Sequence, residues 1–330
     1  MPESCSPSPI SAAISVRGLR RSFGAKVVLD GIDLEVAPGT VHALLGPNGS
    51  GKTTTVNILS TLIRRDAGEV RVGGFDLDDD PQGIRGVIGV TGQFSAVDSL
   101  LTGAENLRLM GELNHLDPAT VTERSTRLLD DFGLADAAGA LPATYSGGMR
   151  RRLDLAMTLM STPRVIFLDE PTTGLDPRSR RQLWGMIRDL VSNGVTVFLT
   201  TQYLEEADGL ADRISVLDHG RIIAEGSPAE LKRLVPGGHV LLEFTDAADL
   251  TAAAVALGHV AREADDEGGP IERDSLVLRI PSDGSVESIR SVLARLDHEA
   301  VDVAALSVHL PDLDDVFLAL TGSDTKETAR

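Results

Sequence analysis

Gly46-Pro47-Asn48-Gly49-Ser50-Gly51-Lys52-Thr53-Thr54 follows directly on the apolar run Val41-His42-Ala43-Leu44-Leu45 and leads into Thr55-Val56-Asn57-Ile58-Leu59. The stretch reads as strand, glycine-rich turn and helix start, and it fits G-x-x-x-x-G-K-[ST], the phosphate-binding loop. Each residue type has a physical reason. Glycines let successive backbone N–H groups turn inward around the β- and γ-phosphates, at a helix N-terminus whose dipole favours an anion. Lys52 supplies a point charge for the same phosphates, and the Thr53 hydroxyl is placed to ligate Mg²⁺. The segment from Gly46 to Thr54 is therefore expected to hold a nucleoside triphosphate.

Downstream, Arg164-Val165-Ile166-Phe167-Leu168-Asp169-Glu170-Pro171 is an apolar run ending in two acids. That is the pattern of a buried parallel strand, whose C-terminal end is where an α/β sheet presents ligand-contacting side chains. Asp169 would hold Mg²⁺ through water, and Glu170 would act on the attacking water. Between the loop and this strand lies Tyr145-Ser146-Gly147-Gly148-Met149-Arg150-Arg151-Arg152-Leu153-Asp154-Leu155-Ala156. A serine and two glycines open an amphipathic helix there, making a second anion-ready N-terminus. One nucleotide does not need two such sites on one subunit.

With these residues the chain resembles the ATP-binding cassette (ABC) ATPase family over roughly residues 14 to 228. The family's signature Leu-Ser-Gly-Gly-Gln is written here as Tyr145-Ser146-Gly147-Gly148-Met149. The resemblance implies ATP and Mg²⁺ as cofactors, and a signature that serves the ATP held by a partner subunit. It also implies that Phe23 stacks on adenine, that Gln93 touches Mg²⁺ and senses a membrane partner, and that Asp176, in Gly174-Leu175-Asp176-Pro177, couples two sites across a homodimer. The motifs occur in the family's order. One position departs: the switch loop normally carries a histidine at the γ-phosphate, and here Thr200-Thr201-Gln202-Tyr203 supplies Gln202. A glutamine amide still donates to a phosphate oxygen but never becomes a cation. Gln202 is expected to keep the positioning role, with Glu170 left as the sole titrating base.

Gln202, the segments Gly92-Gln93-Phe94-Ser95 and Leu101-Thr102-Gly103-Ala104-Glu105-Asn106-Leu107, and the C-terminal Leu313-Asp314-Asp315-Val316-Phe317-Leu318 make the chain similar to the daunorubicin-resistance type of ATP-binding subunit. Those are the ATPase halves of bacterial exporters for antibiotics and related lipophilic molecules. The resemblance implies an integral membrane permease as partner and a peripheral position on the cytoplasmic face of the cell membrane. The rival readings are a soluble ABC ATPase acting on ribosome or nucleic acid, and an importer ATPase. The first lacks support from any coiled-coil run, zinc-binding insertion or second cassette. No Asn-Lys-x-Asp motif for guanine occurs.

Composition agrees. The 330 residues carry a formal net charge of −18, and basic residues form no stripe, which argues against nucleic acid as partner. Arg150-Arg151-Arg152 is the exception; on a helix it spreads over different faces, giving a solvated or subunit-contacting role. The acidic run Asp76-Leu77-Asp78-Asp79-Asp80 reads as a solvated loop. Cys5 is the only cysteine, so no intrachain disulfide forms. No stretch reaches the roughly 18 apolar residues of a membrane span.

The expected architecture is α/β: a RecA-like P-loop NTPase core with an antiparallel β layer and a helical subdomain, plus a small C-terminal α+β domain. Residues 1–12 read as a disordered lead, 13–232 as the ABC ATPase domain with its helical subdomain at about 94–160, and 323–330 as a tail. Residues 13 to about 45 read as short strands with turns. Phe94 to Leu107 has two readings, a docking groove for the membrane partner or internal packing. Residues 239–322 follow a β-α-β-β-α-β order, the ferredoxin-like split pattern, with His259-Val260-Ala261-Arg262 as its second strand. The last helix, from Leu313 to Leu320, places Leu313, Val316, Phe317 and Leu320 on one face, either as a clamp or as part of the small domain's core.

Overall fold

The computed structural model describes residues 12–92, 96–234, 238–257, 271–272, 276–282, 285–309 and 311–321. The chain divides into two compact units, Met1–Pro228 and Ala229–Arg330.

The first unit opens with strands β1 (Ile14–Phe23), β2 (Lys26–Val36) and β3 (Val41–Leu45), then helix α1 (Lys52–Leu59). Next come β4 (Ala67–Val72), β5 (Phe75–Asp76), α2 (Pro81–Val87) and β6 (Ile88–Thr91). Three helices follow, α3 (Gly103–Leu113), α4 (Pro118–Asp131) and α5 (Gly147–Thr158). The unit closes with β7 (Val165–Asp169), α6 (Pro177–Ser192), β8 (Thr196–Thr201), α7 (Leu204–Leu210), β9 (Arg213–Asp218) and β10 (Arg221–Gly226).

Among the described residues these strands make two sheets. The larger has the order β10-β9-β3-β8-β7-β6, parallel except for its β10 edge. Every residue of β3, β7 and β8 is buried. This is why their sequences are near-continuous apolar runs and do not alternate: a parallel sheet is covered on both faces. The smaller sheet, β2-β1-β4-β5, is antiparallel. Its inner residues Ile14, Val16, Leu19, Ile32 and Leu34 share one core with Val56, Ile58 and Leu59 of α1 and with Leu44, Phe167 and Phe198 of the parallel sheet. Each such side chain taken out of water stabilises the fold by roughly 1.5–3 kcal/mol. The segment expected to hold short strands is instead a long hairpin, because bulges between Val16 and Leu19 and between Arg21 and Ser22 bend β1 without ending its pairing.

The helices announce themselves by their caps. Thr102 and Glu105 form a capping box on α3, and Asp117, Ser146 and Asp176 accept backbone N–H groups at the starts of α4, α5 and α6. Thus the first helix of the helical segment starts at Gly103. The acidic run is structural as well as solvated: Asp78 receives both Arg65 Nη atoms at 2.5 Å, and Asp80 caps α2 through Gly83 N at 2.7 Å.

The second unit continues α8 (Pro228–Lys232), β11 (His239–Glu243), α9 (Ala247–Ala256), β12 (Ile271–Glu272), β13 (Val277–Pro281), α10 (Val286–His298), β14 (Ala305–His309) and α11 (Leu313–Thr321). Its sheet, β12-β13-β11-β14, is antiparallel, as the split pattern requires. Val240, Leu242, Leu278 and Ile280 pack against Leu250 and Ala253 of α9 and Val292 and Leu296 of α10. Among the described residues the second strand is β12; the expected one at His259–Arg262 lies outside them. On α11, Leu313 and Val316 are buried. Among the described residues no helix is long and apolar enough to cross a membrane.

His42, in the middle of the parallel sheet, is buried against Ser215 Oγ (2.9 Å from its Nε2) and stacked on the Phe198 ring. Burial, with a smaller push from Arg213, lowers its pKa to about 4. The unfolded chain takes up this proton near pH 6.5 and the folded chain only near pH 4, so stability is lost as pH falls through that window. The loss from this one group is about 3 kcal/mol at pH 4. Urea unfolding of the wild type and of His42→Phe between pH 7 and pH 4 checks this: the variant should show a shallower loss by that amount.

Candidate functional site

The register of the parallel sheet brings the sequence motifs to one edge. Leu45 of β3 lies beside Thr201 of β8, Asp169 of β7 beside Thr200, and Thr91 of β6 beside Leu168. The phosphate loop, the switch loop, the acidic pair and Gly92 therefore all leave the sheet at its carboxyl end, where an open α/β sheet binds its ligand.

Gly46 begins the loop with its N–H on Thr201 O at 3.2 Å. A Cβ there would lie 2.2 Å from Leu217 O, so no side chain fits. Pro47, Asn48, Gly49 and Thr53 are exposed, whereas Ser50, Gly51 and Lys52 are buried and Thr54 is half-buried. The cap of α1 is Gly51, without a side-chain cap, so the first-turn N–H groups are not taken up by their own helix's cap residue. Lys52 Nζ donates to Gly46 O at 2.8 Å and Pro47 O at 3.1 Å and lies 3.5 Å from Glu170 Oε1. Burial lowers the Lys52 pKa, and the carboxylates of Glu170 and Asp169 push it back up.

Asp169 and Glu170 form the opposite wall. Asp169, itself buried, accepts on Oδ1 from Thr53 Oγ1 at 3.3 Å and from Thr200 Oγ1. Glu170 N donates to both Thr200 O and Thr200 Oγ1, each at 3.1 Å, and Thr173 Oγ1 donates to Glu170 Oε2 at 3.3 Å. Glu170 has φ 47, in the left-handed region, where a residue with a Cβ costs about 1–2 kcal/mol. Such strain persists only where neighbours over-determine the backbone. Thr200 is one of those neighbours, and its place at the polar end of a buried strand was the signal for it in the sequence.

Gln202, half-buried, follows β8 directly, and Tyr203 N bonds Thr201 Oγ1 at 2.9 Å. Behind it, Glu206 of α7 is fully buried, and burial raises its pKa. Trp184 Nε1 of α6 donates to Glu206 Oε1 at 3.3 Å. Phe23 ends β1, is 48% exposed, and carries the Arg21 guanidinium 4.6 Å from its ring centroid. Gln93 lies outside the described residues.

Ser146 and Gly147 are exposed at the start of α5, and Met149 is half-buried. The Ser146 hydroxyl accepts from Met149 N at 3.2 Å, which leaves its proton available to donate. Gly148 is a close-approach glycine: a Cβ would meet Ser179 Oγ of α6 at 2.6 Å. Ser179 in turn donates to Asp176 Oδ2 at 2.7 Å, so Asp176 caps α6 and its serine faces the signature helix.

The arginine run is not mainly a solvated face. Arg151 bonds the main chain of Gly92, Asp169 and Pro171, and Arg152 Nη1 donates to Phe132 O at 2.8 Å. Arg150 is exposed, with its guanidinium on Tyr145 O. Carbonyl partners far along the chain carry no sequence signal, so these inward bonds could not be read from the run.

If Thr200 is the pin between the two acids, Thr200→Val should remove it without changing volume. The expected result is a loss of about 1–2 kcal/mol in urea unfolding, with the ATP hydrolysis rate falling more than affinity for ATP. Unchanged hydrolysis would remove Thr200 from the site.

The ABC transporter family description matches residues 29–173. The daunorubicin resistance ATP-binding protein DrrA2 of Streptomyces coeruleorubidus is 48% identical over 96% of this chain and 97% of its own length. The doxorubicin resistance ATP-binding protein DrrA of Mycobacterium tuberculosis (strain CDC 1551 / Oshkosh) is 43% identical over 95% of both. Among solved structures, the ATP binding subunit of an ABC transporter superposes with TM-score 0.61 at 28% identity, covering 67% of this chain and 92% of that one. The chain belongs to the ABC transporter family as an ATP-binding, ATP-hydrolysing subunit of the daunorubicin-resistance type.

Proposed function

We propose that this ATPase powers export of a lipophilic, drug-like molecule through a separate membrane-spanning permease, working as a pair of identical chains on the cytoplasmic face of a bacterial membrane. The observation that carries the chemistry is the convergence of Lys52, Glu170, Asp169 and Thr53 within 3.5 Å contacts at the carboxyl ends of β3 and β7. The relatives' names as daunorubicin and doxorubicin resistance proteins support the cargo class.

In this reading the loop amides from Gly46 to Thr54 and the Lys52 ammonium cradle the β- and γ-phosphates, and Phe23 offers its ring to the adenine. Thr53 and Asp169, two hard oxygen donors 3.3 Å apart, suit Mg²⁺, with Gln93 as a third contributor. When bound, Mg²⁺ supplies neutralising charge to the phosphate oxygens. Glu170 orients and polarises the attacking water, and Gln202 donates its amide to the γ-phosphate. One loop and one signature per chain suit a two-fold pair with two composite sites. There Ser146 and the amides of Gly147 and Gly148 would cap the partner's γ-phosphate, with Asp176 near the junction. Losing the γ-phosphate reopens the pair, a ligand-biased switch that the permease converts into alternating access.

Glu170→Gln should bind ATP yet turn it over about 10²–10⁴-fold more slowly. Phosphate release assays decide it, and wild-type turnover refutes Glu170 as the base. Gln202→Ala should likewise lose most turnover, with ATP binding retained; full activity in this variant would remove Gln202 from the γ-phosphate. To test the transporter reading, the Glu170→Gln chain is purified with MgATP from detergent-solubilised membranes of its host and analysed by mass spectrometry. A stoichiometric multi-spanning protein supports it; ribosomes or nucleoprotein without a membrane protein overturn it.

A further inference from the structure

Arg151 lies on the first turns of the signature helix α5, and its side chain is only 13% exposed. Among the described residues its main-chain bonds point into the ATPase core. Nε donates to Pro171 O at 2.9 Å, Nη2 to Asp169 O at 3.2 Å and Nη1 to Gly92 O at 2.9 Å. Asp169 and Pro171 are the residues on either side of Glu170. The guanidinium thus fastens the main chain just before and just after the proposed base, whose φ of 47 needs external support. The planar fork of guanidinium donors spans three separated carbonyls, a geometry that a point-like ammonium lacks.

A buried cation needs an opposite charge. Asp154, one turn along α5 and 3% exposed, places Oδ2 3.4 Å from Arg151 Nη1. Its other oxygen, Oδ1, accepts from Ala96 N at 3.1 Å. Burial pulls the Arg151 pKa down and Asp154 up, and each resists the other's shift by its charge. The pair therefore touches Gly92 with one member and Ala96 with the other, while the same arginine brackets Glu170.

We infer that Arg151, with Asp154 as its counter-ion, is a positioning residue that sets the Glu170 main chain from the signature helix and ties that setting to the chain at Gly92 and Ala96. The inference rests on the reading of Glu170 as the base. Movement of α5 or of the chain at Gly92 reaches the acid through Arg151, and movement at Ala96 reaches it through Asp154 and Arg151 in turn.

The test is a double-mutant cycle on the full-length chain, measuring kcat and KM for ATP by radiolabelled phosphate release, with single turnovers for the slow variants. Arg151→Gln should lower kcat about 10- to 100-fold with KM for ATP little changed. Arg151→Lys keeps the charge beside Asp154 but not the fork, and should fall between it and the wild type. In the Glu170→Gln background, Arg151→Gln should cost less than about twofold more, because the group it positions is already disabled. If Arg151→Gln does not accumulate as folded protein, Arg151→Lys runs the same cycle and the same non-additivity decides. A full, additive loss in the Glu170→Gln background, or a raised KM at unchanged kcat, overturns the role of Arg151 alone. Wild-type turnover by Glu170→Gln overturns the base assignment and this inference with it.

Discussion

The parallel pairing of β3, β8 and β7 governs everything around the nucleotide. Fully buried on both faces, these strands have no freedom to slip, since a one-residue shift would turn core side chains out of their packing. With Leu45 held beside Thr201 and Asp169 beside Thr200, the phosphate loop, the acids and the switch loop are bound to emerge together. The core that fixes them also contains the inner face of the antiparallel sheet through Leu44, Phe167 and Phe198. A change away from the site, at Ile14 of β1 or Leu59 of α1, therefore acts on it through the strand ends.

Much of this was legible in the sequence for identifiable physical reasons. Parallel strands buried on both faces must be continuous apolar runs, and a loop that wraps phosphates must be glycine-rich before a lysine; both constraints act on neighbouring residues. A helix start was legible where a capping side chain preceded the first turn, as at Ser146. The β1–β2 hairpin was underestimated because its bulges look locally like strand ends.

What could not be read is the chemistry between distant segments. Arg151 finds carbonyls 18, 20 and 59 positions away, and a carbonyl belongs to every residue alike. Within the run of three arginines nothing distinguishes the two that turn inward from the one left exposed. The left-handed backbone at Glu170 was equally hidden, since glutamate carries no bias toward it. The residues proposed for the reacting end carry sequence motifs; the scaffold that orients them does not.

The bond from Trp184 to Glu206 has a practical side. Trp184 is the only tryptophan in the chain, 8% exposed, and it hydrogen-bonds the buried carboxyl on the helix that follows Gln202. Indole emission depends on what its N–H meets and on how well the ring is shielded from water. The protein therefore carries a native optical reporter on α6, bonded to the helix that follows Gln202, and its light comes from a single place. A response of that helix to nucleotide can be sought by stopped-flow fluorescence without a dye or an added tryptophan.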